Sequence, residues 1–360
     1  MGSQKSIYAV IKGSGSYIPP VVVKNSAFEN SVFMNEDGSV ITTPREEIIK
    51  KFEEITDIVE RRLAPDNIFT SDMAAIAAKE AIADAGIDKE ELDYIIVAHN
   101  LGDLHKGALV PDIMPALASR VKDILDIKSP NVVAYDIIFG CPGWTQAMIQ
   151  ANYYIKSGDA KKILVIGADS VSRMADPHDR DVMIFADGAS ATVVEGVESD
   201  EPVGMLKHSV RSDVGEYLNL LRIGRSYNPE IEGCYLKMLG RRVYNYALTY
   251  VPLLAQECLN KNGMSLKDVD KILIHQANAK MDEAILKSIF RLYGITEADM
   301  NIMPMTIRNL GNSSVATIPT MYDLIVKGKL KGHELRSGDN VMMTSVGAGM
   351  NINAFMYKMP

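Results

Sequence analysis

An internal repeat constrains the fold of this chain more than any other feature of its sequence. The segment KEAIADAGIDKEELDYIIVAHN (residues 79–100) matches AQECLNKNGMSLKDVDKILIHQAN (residues 255–278). Each copy runs from a helical pattern to a glycine, Gly86 or Gly263. An aspartate, Asp93 or Asp270, then opens an apolar strand. Glycine is favoured just after a helix, and a continuous apolar run suits a strand buried on both faces.

Two further segments repeat in the same order. KSGDAKKILVIGAD (156–169) matches RSGDNVMMTSVGAG (336–349), and these follow FGCPGWTQAMIQANYYI and LGNSSVATIPTMYDLIV, respectively. Matches in three segments of one order make chance similarity improbable. We therefore predict an α/β fold built from two pseudo-symmetric β/α halves, residues 1–200 and residues 201–360.

The register of the repeat aligns polar residues of the two halves. Gly140–Cys141 in the first half corresponds to Gly311–Asn312 in the second. His275 closes a second-half strand where Ala98 closes its counterpart. Ligand sites in α/β sheets collect at the carboxyl ends of strands and the starts of helices. The repeat therefore predicts that Cys141, His275 and Asn312 point into one cleft.

Composition excludes several classes of function. Hydrophobic residues make up 47% of the 360 residues and charged residues 23%, as in a soluble globular protein. The net charge of −8 and the lack of a basic tract disfavour nucleic-acid binding. No run of apolar residues is long enough to predict a membrane span. The small basic pairs Arg61/Arg62 and Arg241/Arg242 are typical of solvated surface charges.

Cysteine usage indicates a reducing compartment. The chain has three cysteines, a sparse and odd number that argues against a disulfide framework and fits the cytoplasm. It has no CxxC or HExxH pair, so no metal site is expected. For Cys234 and Cys258 we expect the ordinary role of a small buried residue.

Cys141 stands in a different context. Its surroundings, VVAYDIIFGCPGW, predict a strand, a turn at Gly140 and a helix from about Pro142. Proline is favoured at the first helical position, so Cys141 is expected at or beside the N-cap. Unpaired amides and the helix dipole there favour a thiolate and would lower the pKa of the thiol. A buried structural cysteine is the alternative.

Two other segments are unusually polar for packing alone. His275 and Asn278 end a buried strand, where each polar group needs a partner. Asn312 lies at a helix start, where N-capping is the ordinary alternative. Glycines on both sides of Ala348 let backbone amides approach a carbonyl, which suits an oxyanion hole or a plain strand-end turn.

These motifs together resemble the β-ketoacyl–acyl carrier protein synthase III family. The resemblance rests on HQAN, GNSS, the Asp-Gly-Ala of IFADGAS, the SGD…GAD run and a lone cysteine before a helix. It covers nearly the whole chain, from IKGSGSYIPP to VGAGMNINAF. It implies a thiolase-like fold of five layers, α/β/α/β/α, and usually a homodimer, with the strand Val132–Ile138 as the candidate for pairing.

The resemblance also implies a reaction, a decarboxylative condensation of an acyl primer with a malonyl thioester. Cys141 matches the acylated nucleophile, and His275 and Asn312 match the pair that activates the malonyl thioester. The backbone amides of Cys141 and Ala348 match the oxyanion hole. The substrates would be thioesters of coenzyme A or acyl carrier protein, with no metal or organic cofactor.

Further residues match substrate-binding and carrier-binding positions. Arg180 matches a coenzyme A-binding arginine, and Lys280, just after HQAN, matches a basic position that docks the acidic carrier protein. Arg241, Arg242 and Asn278 are expected to add to this binding.

Several residues depart from the family pattern. Lys51 and Ile55 stand where a tryptophan and an arginine commonly hold coenzyme A. An excursion at Asn35–Glu47 precedes them. Phe139 and Trp144 are bulkier than usual beside the nucleophile, which suggests that they reshape the acyl pocket. Because the clamp is missing at Lys51 and Ile55, we expect acetyl-CoA to be a poor primer, unless the excursion replaces that clamp.

Other functions fit less well. A thiolase needs a second cysteine where Ser345 stands, and hydroxymethylglutaryl-CoA synthase needs a glutamate that the sequence does not place. A chalcone-synthase-like or quinolone-type condensing enzyme uses the same Cys-His-Asn set and stays open. A non-catalytic partner subunit usually lacks the nucleophile. There is no GxSxG, and the glycine motifs are incomplete as dinucleotide fingerprints.

Overall fold

The computed structural model describes residues 5–105 and 110–360. The strands are β1 (Ser6–Tyr17), β2 (Val21–Lys24), β3 (Glu60–Leu63), β4 (Tyr94–His99), β5 (Val133–Ile138), β6 (Lys162–Ser170), β7 (Asp187–Ser199), β8 (Gly204–Ser212), β9 (Leu221–Gly224), β10 (Tyr235–Met238), β11 (Lys271–Ile274), β12 (Asn340–Gly347) and β13 (Asn351–Lys358). The helices are α1 (Arg45–Thr56), α2 (Thr70–Ala85), α3 (Leu117–Ile124), α4 (Gly143–Ser157), α5 (Gly240–Lys261), α6 (Ala279–Leu292), α7 (Ile307–Leu310) and α8 (Thr317–Val326).

Two large sheets share one strand arrangement. The first has the order β1-β7-β6-β4-β5, in which β6, β4 and β5 are parallel and β7 and β1 follow antiparallel. The second has the order β11-β12-β13-β8, in which β11 and β12 are parallel and β13 and β8 follow antiparallel. The second sheet thus repeats the first without a counterpart of β5 in the described ranges. We propose that these sheets mark the two halves, residues 1–200 and 201–360.

The helices complete five layers. Helices α4 and α8 lie between the sheets, and their apolar residues, such as Met148 and Met321, form the central core with side chains from both sheets. Helices α2 and α3 cover the outer face of the first sheet. Helices α5 and α6 cover the outer face of the second. This is the α/β/α/β/α arrangement that the family resemblance implies.

The repeated glycines have matching backbone conformations. Gly86 and Gly263 have φ values of 65° and 67°, and Gly158 and Gly338 have 81° and 89°. A Cβ atom added at any of the four would meet nothing within 4 Å. Their role is therefore conformational: each ends a helix or a turn in the left-handed region that L side chains avoid.

Two expectations about single residues are wrong. Arg61 is not a solvated surface charge, because its side chain is 1% exposed and donates hydrogen bonds to Met183 O and Asn25 Oδ1. Burial lowers the pKa of Arg61 to about 10. Cys234 is exposed, whereas Cys258 is buried in α5 as expected.

Candidate active site

An apolar cleft of about 940 Å³ opens between the two halves and contains the predicted chemical groups. The predicted residues that line it are Cys141, Arg180, Arg241, His275, Asn278, Asn312 and Ala348. Ile48, Phe52 and Ile55 of α1 form part of its wall, together with Leu236 and Met238 of β10. The cleft therefore joins polar groups at its base to a long apolar wall.

Cys141 stands at the junction between β5 and α4. Pro142 is the N-cap of α4, so Cys141 directly precedes the cap. The sequence predicted Pro142 as the first helical residue, but the helix begins one residue later, at Gly143. The turn is closed by Gly143 N donating to Gly140 O at 2.9 Å. Gly140 has φ 69°, a conformation that glycine adopts at no steric cost.

The thiol is not activated in the way that the sequence suggested. Cys141 is only partly exposed, and burial raises the pKa of its thiol to about 11 instead of lowering it. The Ser314 hydroxyl donates to Cys141 Sγ at 3.6 Å and acts against that rise. Desolvation of the charged form outweighs this hydrogen bond, since an apolar cleft surrounds the sulfur.

Two glycine-containing loops meet backbone to backbone beside the thiol. A Cβ atom on Gly140 would lie 2.7 Å from the nitrogen of Ala348, and one on Gly347 would lie 2.5 Å from the nitrogen of Cys141. Both positions exclude larger residues because backbone atoms cannot move aside cheaply. The contact brings the amides of Cys141 and Ala348 to the same part of the cleft, which suits a pair of donors to one oxyanion.

His275 follows β11 and is 3% exposed. Its backbone N donates to Thr344 O at 3.0 Å, which continues the ladder to β12. Burial lowers the pKa of His275 to about 4, so the imidazole is neutral at pH 7. Nδ1 has no hydrogen-bond partner among the described residues. A neutral imidazole keeps one N–H donor and one acceptor for a ligand.

Asn312 is fixed by a segment of the first half. Its backbone N donates to Ile184 O at 3.0 Å, and its O accepts from Ala186 N at 2.9 Å. Oδ1 accepts from Ser314 N at 2.8 Å, which is a local turn and not an N-cap of α8. Nδ2 has no hydrogen-bond partner in the part of the chain that is described. The donor end of the amide is therefore left for a ligand.

Sequence reasoning missed the residues that hold this arrangement in place. Gln276 accepts hydrogen bonds from Thr306 N at 2.8 Å and Ile307 N at 3.0 Å, and its Nε2 donates to Pro304 O at 2.7 Å. It thereby ties the end of β11 to the segment that leads to Asn312. Its place in HQAN and its complete burial were the available signal, since a buried amide requires partners.

The predicted binding residues separate into two groups. Arg180 and Arg241 line the cleft, and so does Asn278, whose Oδ1 also caps α6 by accepting from Met281 N at 3.1 Å. Arg242 instead pairs with Glu216 at 3.2 Å. Lys280 lies in a separate surface groove whose charged lining is mostly acidic, comprising Glu29, Glu46, Lys50, Glu53, Glu54, Asp57 and Glu283.

Only some of the residues that depart from the family pattern line the cleft. Lys51, Ile55 and Phe139 line the cleft, and the excursion contributes Thr43 and Glu47. Trp144 does not line it: the side chain is 1% exposed and packs against Phe355 in the central core. The suggestion that Trp144 reshapes an acyl pocket is therefore wrong.

The excursion is anchored to loops of both halves. Met34, the residue just before the excursion, donates its backbone N–H to His178 O at 2.8 Å, and Glu36 within the excursion pairs with Arg222 at 3.4 Å. Among the described residues, no group of three or more His, Cys, Asp or Glu side chains could hold a metal ion. No helix in the same ranges is long and apolar enough to cross a membrane.

Comparisons with known proteins decide the family. Residues 135–214 match the family model of 3-oxoacyl-[acyl-carrier-protein] synthase III, and residues 259–359 match its C-terminal model. Beta-ketoacyl-[acyl-carrier-protein] synthase III of Ruegeria pomeroyi is 34% identical over 346 residues, which cover 95% of this chain and 96% of that protein. The chain belongs to the β-ketoacyl–acyl carrier protein synthase III family.

Other relatives agree with this assignment. The synthase III of Staphylococcus haemolyticus is 33% identical, with 97% of this chain and 98% of that protein covered. The crystal structure of the Aquifex aeolicus synthase III superposes with a TM-score of 0.78 at 30% identity, covering 97% of this chain and 99% of that one. The predicted family, the thiolase-like fold and the class of condensing acyltransferase are confirmed, and the chain is a synthase III-like enzyme that acts on thioesters.

Proposed function

We propose that this synthase III joins an acyl primer, carried on Cys141, to a malonyl thioester with loss of CO₂. The observation that carries the proposal is the convergence of Cys141, His275 and Asn312 on one cleft beside the amide of Ala348. A non-catalytic subunit would not need a thiol at the base of this cleft. A chalcone-synthase-like condensation uses the same three groups and stays open as the alternative.

The first step transfers the primer to the thiol. The Cys141 sulfur attacks the thioester carbonyl, the new C–S bond forms, and the carrier thiol leaves after taking up a proton. The amides of Cys141 and Ala348 hold the tetrahedral oxyanion. Because the pKa of Cys141 is about 11, the resting thiol is protonated at neutral pH and must lose its proton during this step. That proton ends on the departing carrier thiol.

The second step forms the carbon–carbon bond. The malonyl thioester loses CO₂, and negative charge develops on its thioester oxygen. Neutral His275 and the Nδ2 group of Asn312 donate hydrogen bonds to that oxygen, where donors fixed in advance are most effective. The carbanion then attacks the acyl group, and the Cys141 sulfur leaves. These steps use side chains and backbone amides, and we propose no other cofactor.

The donor thioester is proposed to enter past Arg180 and Arg241. Both are exposed at the cleft and have no ion-pair partner within the described ranges, so they can meet phosphate groups or the acidic surface of a carrier protein. Lys280 was the sequence-based docking position, and its acidic neighbours weaken that role. We keep an acyl carrier protein as the proposed partner.

The primer and the assembly follow from two further features. Ile55 and Lys51 offer no aromatic face for an adenine, so we propose that primers other than acetyl-CoA are preferred. The edge strand β5 exposes Val133 (48%) and Ile138 (63%), which supports pairing with a second copy in a homodimer. Three free cysteines support a cytoplasmic location.

Intact-mass measurement tests the proposed nucleophile. Incubation with acyl-CoA and acyl-carrier thioesters should add one acyl group to the wild type and none to Cys141→Ala. His275→Ala and Asn312→Ala should keep this adduct but release CO₂ from a malonyl thioester roughly 10² to 10³ times more slowly. An adduct on Cys141→Ala would move the nucleophile to Cys234 or Cys258. Equal losses in both half-reactions would reduce His275 and Asn312 to positioning the cleft.

A further inference from the structure

A buried polar chain ends at the nucleophile and contains three residues that the proposed steps do not use. Ser314 Oγ donates to Cys141 Sγ at 3.6 Å and accepts from Asn100 Nδ2 at 2.9 Å. Asp169 holds Asn100 on two sides, accepting from its Nδ2 at 2.7 Å and its backbone N at 2.8 Å. Asp169 is fully buried and Ser314 is 6% exposed. Two halves of the molecule therefore build one network under the sulfur.

The chain of hydrogen bonds has a fixed direction. A carboxylate only accepts, so Asp169 sets which end of the Asn100 amide faces it, and that end is the NH₂ group. The same NH₂ group reaches Ser314, so the serine oxygen is the acceptor in that bond. A hydroxyl has a single proton, which here faces the Cys141 sulfur at 3.6 Å and for which the nearby Asp169 carboxylate competes. Hydrogen bonds to the charged form of a group stabilise that form.

The backbone of Ser314 is strained in a way that serves this contact. Ser314 has φ 55°, in the left-handed region where residues other than glycine are uncommon. Its backbone N is held by Asn312 Oδ1 at 2.8 Å, so the turn that places Asn312 also places the hydroxyl. Strained residues persist where the surrounding structure over-determines them, which is frequent at active sites.

We propose that Ser314 is a further catalytic residue, whose hydroxyl stabilises the Cys141 thiolate while Asn100 and Asp169 act as positioning residues that orient it. The inference rests on the proposed role of Cys141 as the nucleophile. The Ser314 hydroxyl supplies what the start of α4 does not, a donor aimed at the Cys141 sulfur inside an apolar cleft. A single neutral hydrogen bond is worth about 1 kcal/mol, so its loss should change the thiolate population about fivefold to tenfold.

Ser314→Gly separates the hydroxyl from the backbone. Glycine adopts the observed φ without strain, so the variant removes the donor and keeps the turn. The readout is the rate at which iodoacetamide alkylates Cys141, followed by peptide mass spectrometry from neutral to alkaline pH. The rate at neutral pH should fall about fivefold to tenfold, and the pH profile should move to higher pH. Exposed Cys234 is the internal standard, and its rate should not change.

Two further variants make the result decisive. Ser313→Gly removes a neighbouring hydroxyl that approaches Thr317 Oγ1 at 3.5 Å and should leave Cys141 alkylation unchanged. Asn100→Ala frees the Ser314 proton to turn towards Asp169 and should shift the Cys141 profile in the same direction as Ser314→Gly, by less. It decides the question if Ser314→Gly does not fold.

The proposal and the proposed function fail in different ways. A folded Ser314→Gly variant that alkylates at Cys141 with the wild-type rate and pH profile overturns the role of Ser314. A wild-type enzyme that forms no acyl adduct on Cys141 overturns the proposed function. Alkylation requires no acyl substrate, so the first result can be obtained whatever the second shows.

Discussion

The two glycine-containing junctions of the repeat share the φ of that glycine and differ in almost everything around it. In the first half, β5 leads through Gly140 and Cys141 directly into α4, a helix of 15 residues. In the second half, Gly311 and Asn312 follow the four-residue helix α7, and a short 3₁₀ turn separates them from α8. The two glycines have nearly the same φ, 69° at Gly140 and 71° at Gly311.

This difference shows how a duplicated fold obtains two chemical roles. Both junctions carry a glycine with positive φ, and both place their next residue, Cys141 or Asn312, in one cleft. The regular junction places a thiol beside the start of a helix. The broken junction places an amide on a loop held by backbone atoms of Ile184 and Ala186 in the other half. The repeated arrangement of the two halves therefore forms the cleft. The difference between the two junctions gives the cleft a thiol from one half and an amide from the other.

The largest effect is expected when Gly140, the glycine that precedes the nucleophile, is altered. Gly140→Ala places a methyl group 2.7 Å from Ala348 N, so one amide of the oxyanion hole must shift. Acyl transfer to Cys141 should slow roughly 10² to 10³ times. The matched control is Gly86→Ala, which has the same left-handed conformation and open space around it. It should cost about 1 kcal/mol of stability and leave the rate unchanged.

Single-turnover acylation and urea unfolding measure the two outcomes. If Gly140→Ala loses stability like Gly86→Ala but keeps the wild-type acylation rate, the close approach of the two loops has no catalytic role.

The repeat explains why so much of the fold followed from the sequence. Matching glycines, apolar strands and helix patterns are local signals, and two copies of them fix a symmetric arrangement. The cleft followed too, because Cys141 and Asn312 hold equivalent positions after a glycine and His275 follows a strand, β11.

What the sequence did not predict depends on contacts between distant segments. The raised pKa of Cys141 reflects how the halves enclose the sulfur, whereas the helix start alone predicted a lowered pKa. Lys280 matches a docking position, but α1 of the first half brings Glu46, Glu53 and Glu54 into the same groove. Both features arise where one half contacts the other.

The next largest effect is on the pH dependence of stability, to which His275 contributes. Burial lowers the pKa of His275 from 6.5 to about 4, so the unfolded chain takes up this proton first as the pH falls. Stability is therefore lost between about pH 6.5 and 4, by up to about 3 kcal/mol at 1.36 kcal/mol per pKa unit. Urea unfolding at neutral and mildly acidic pH should show a smaller loss in His275→Asn than in the wild type.

Comparing the wild type with His275→Asn isolates the contribution of His275 from that of groups whose protonation stabilises the folded state as the pH falls. Burial, with the neighbouring carboxylate of Asp179, raises the pKa of Asp181 to about 7, so protonation of Asp181 favours the folded state as the pH falls. Equal slopes in wild type and His275→Asn would mean that the imidazole is not desolvated in the folded state.

The smallest expected effect is on carrier binding. It is tested by comparing Arg241 at the cleft with Lys280 in its separate groove. Arg241→Glu reverses a charge at the cleft that has no ion-pair partner in the described ranges, so an acidic carrier should bind less well. Exposed charge pairs are worth about 0.2 to 1 kcal/mol, so the apparent KM for an acyl-carrier thioester should rise about twofold to fivefold. Lys280→Glu should change it less, since six carboxylates already line that groove, those of Glu29, Glu46, Glu53, Glu54, Asp57 and Glu283. Raising the ionic strength should remove both effects by screening. If Lys280→Glu raises the apparent KM more than Arg241→Glu does, the docking site lies at the start of α6. The acidic residues of α1 would then face the carrier without repelling it.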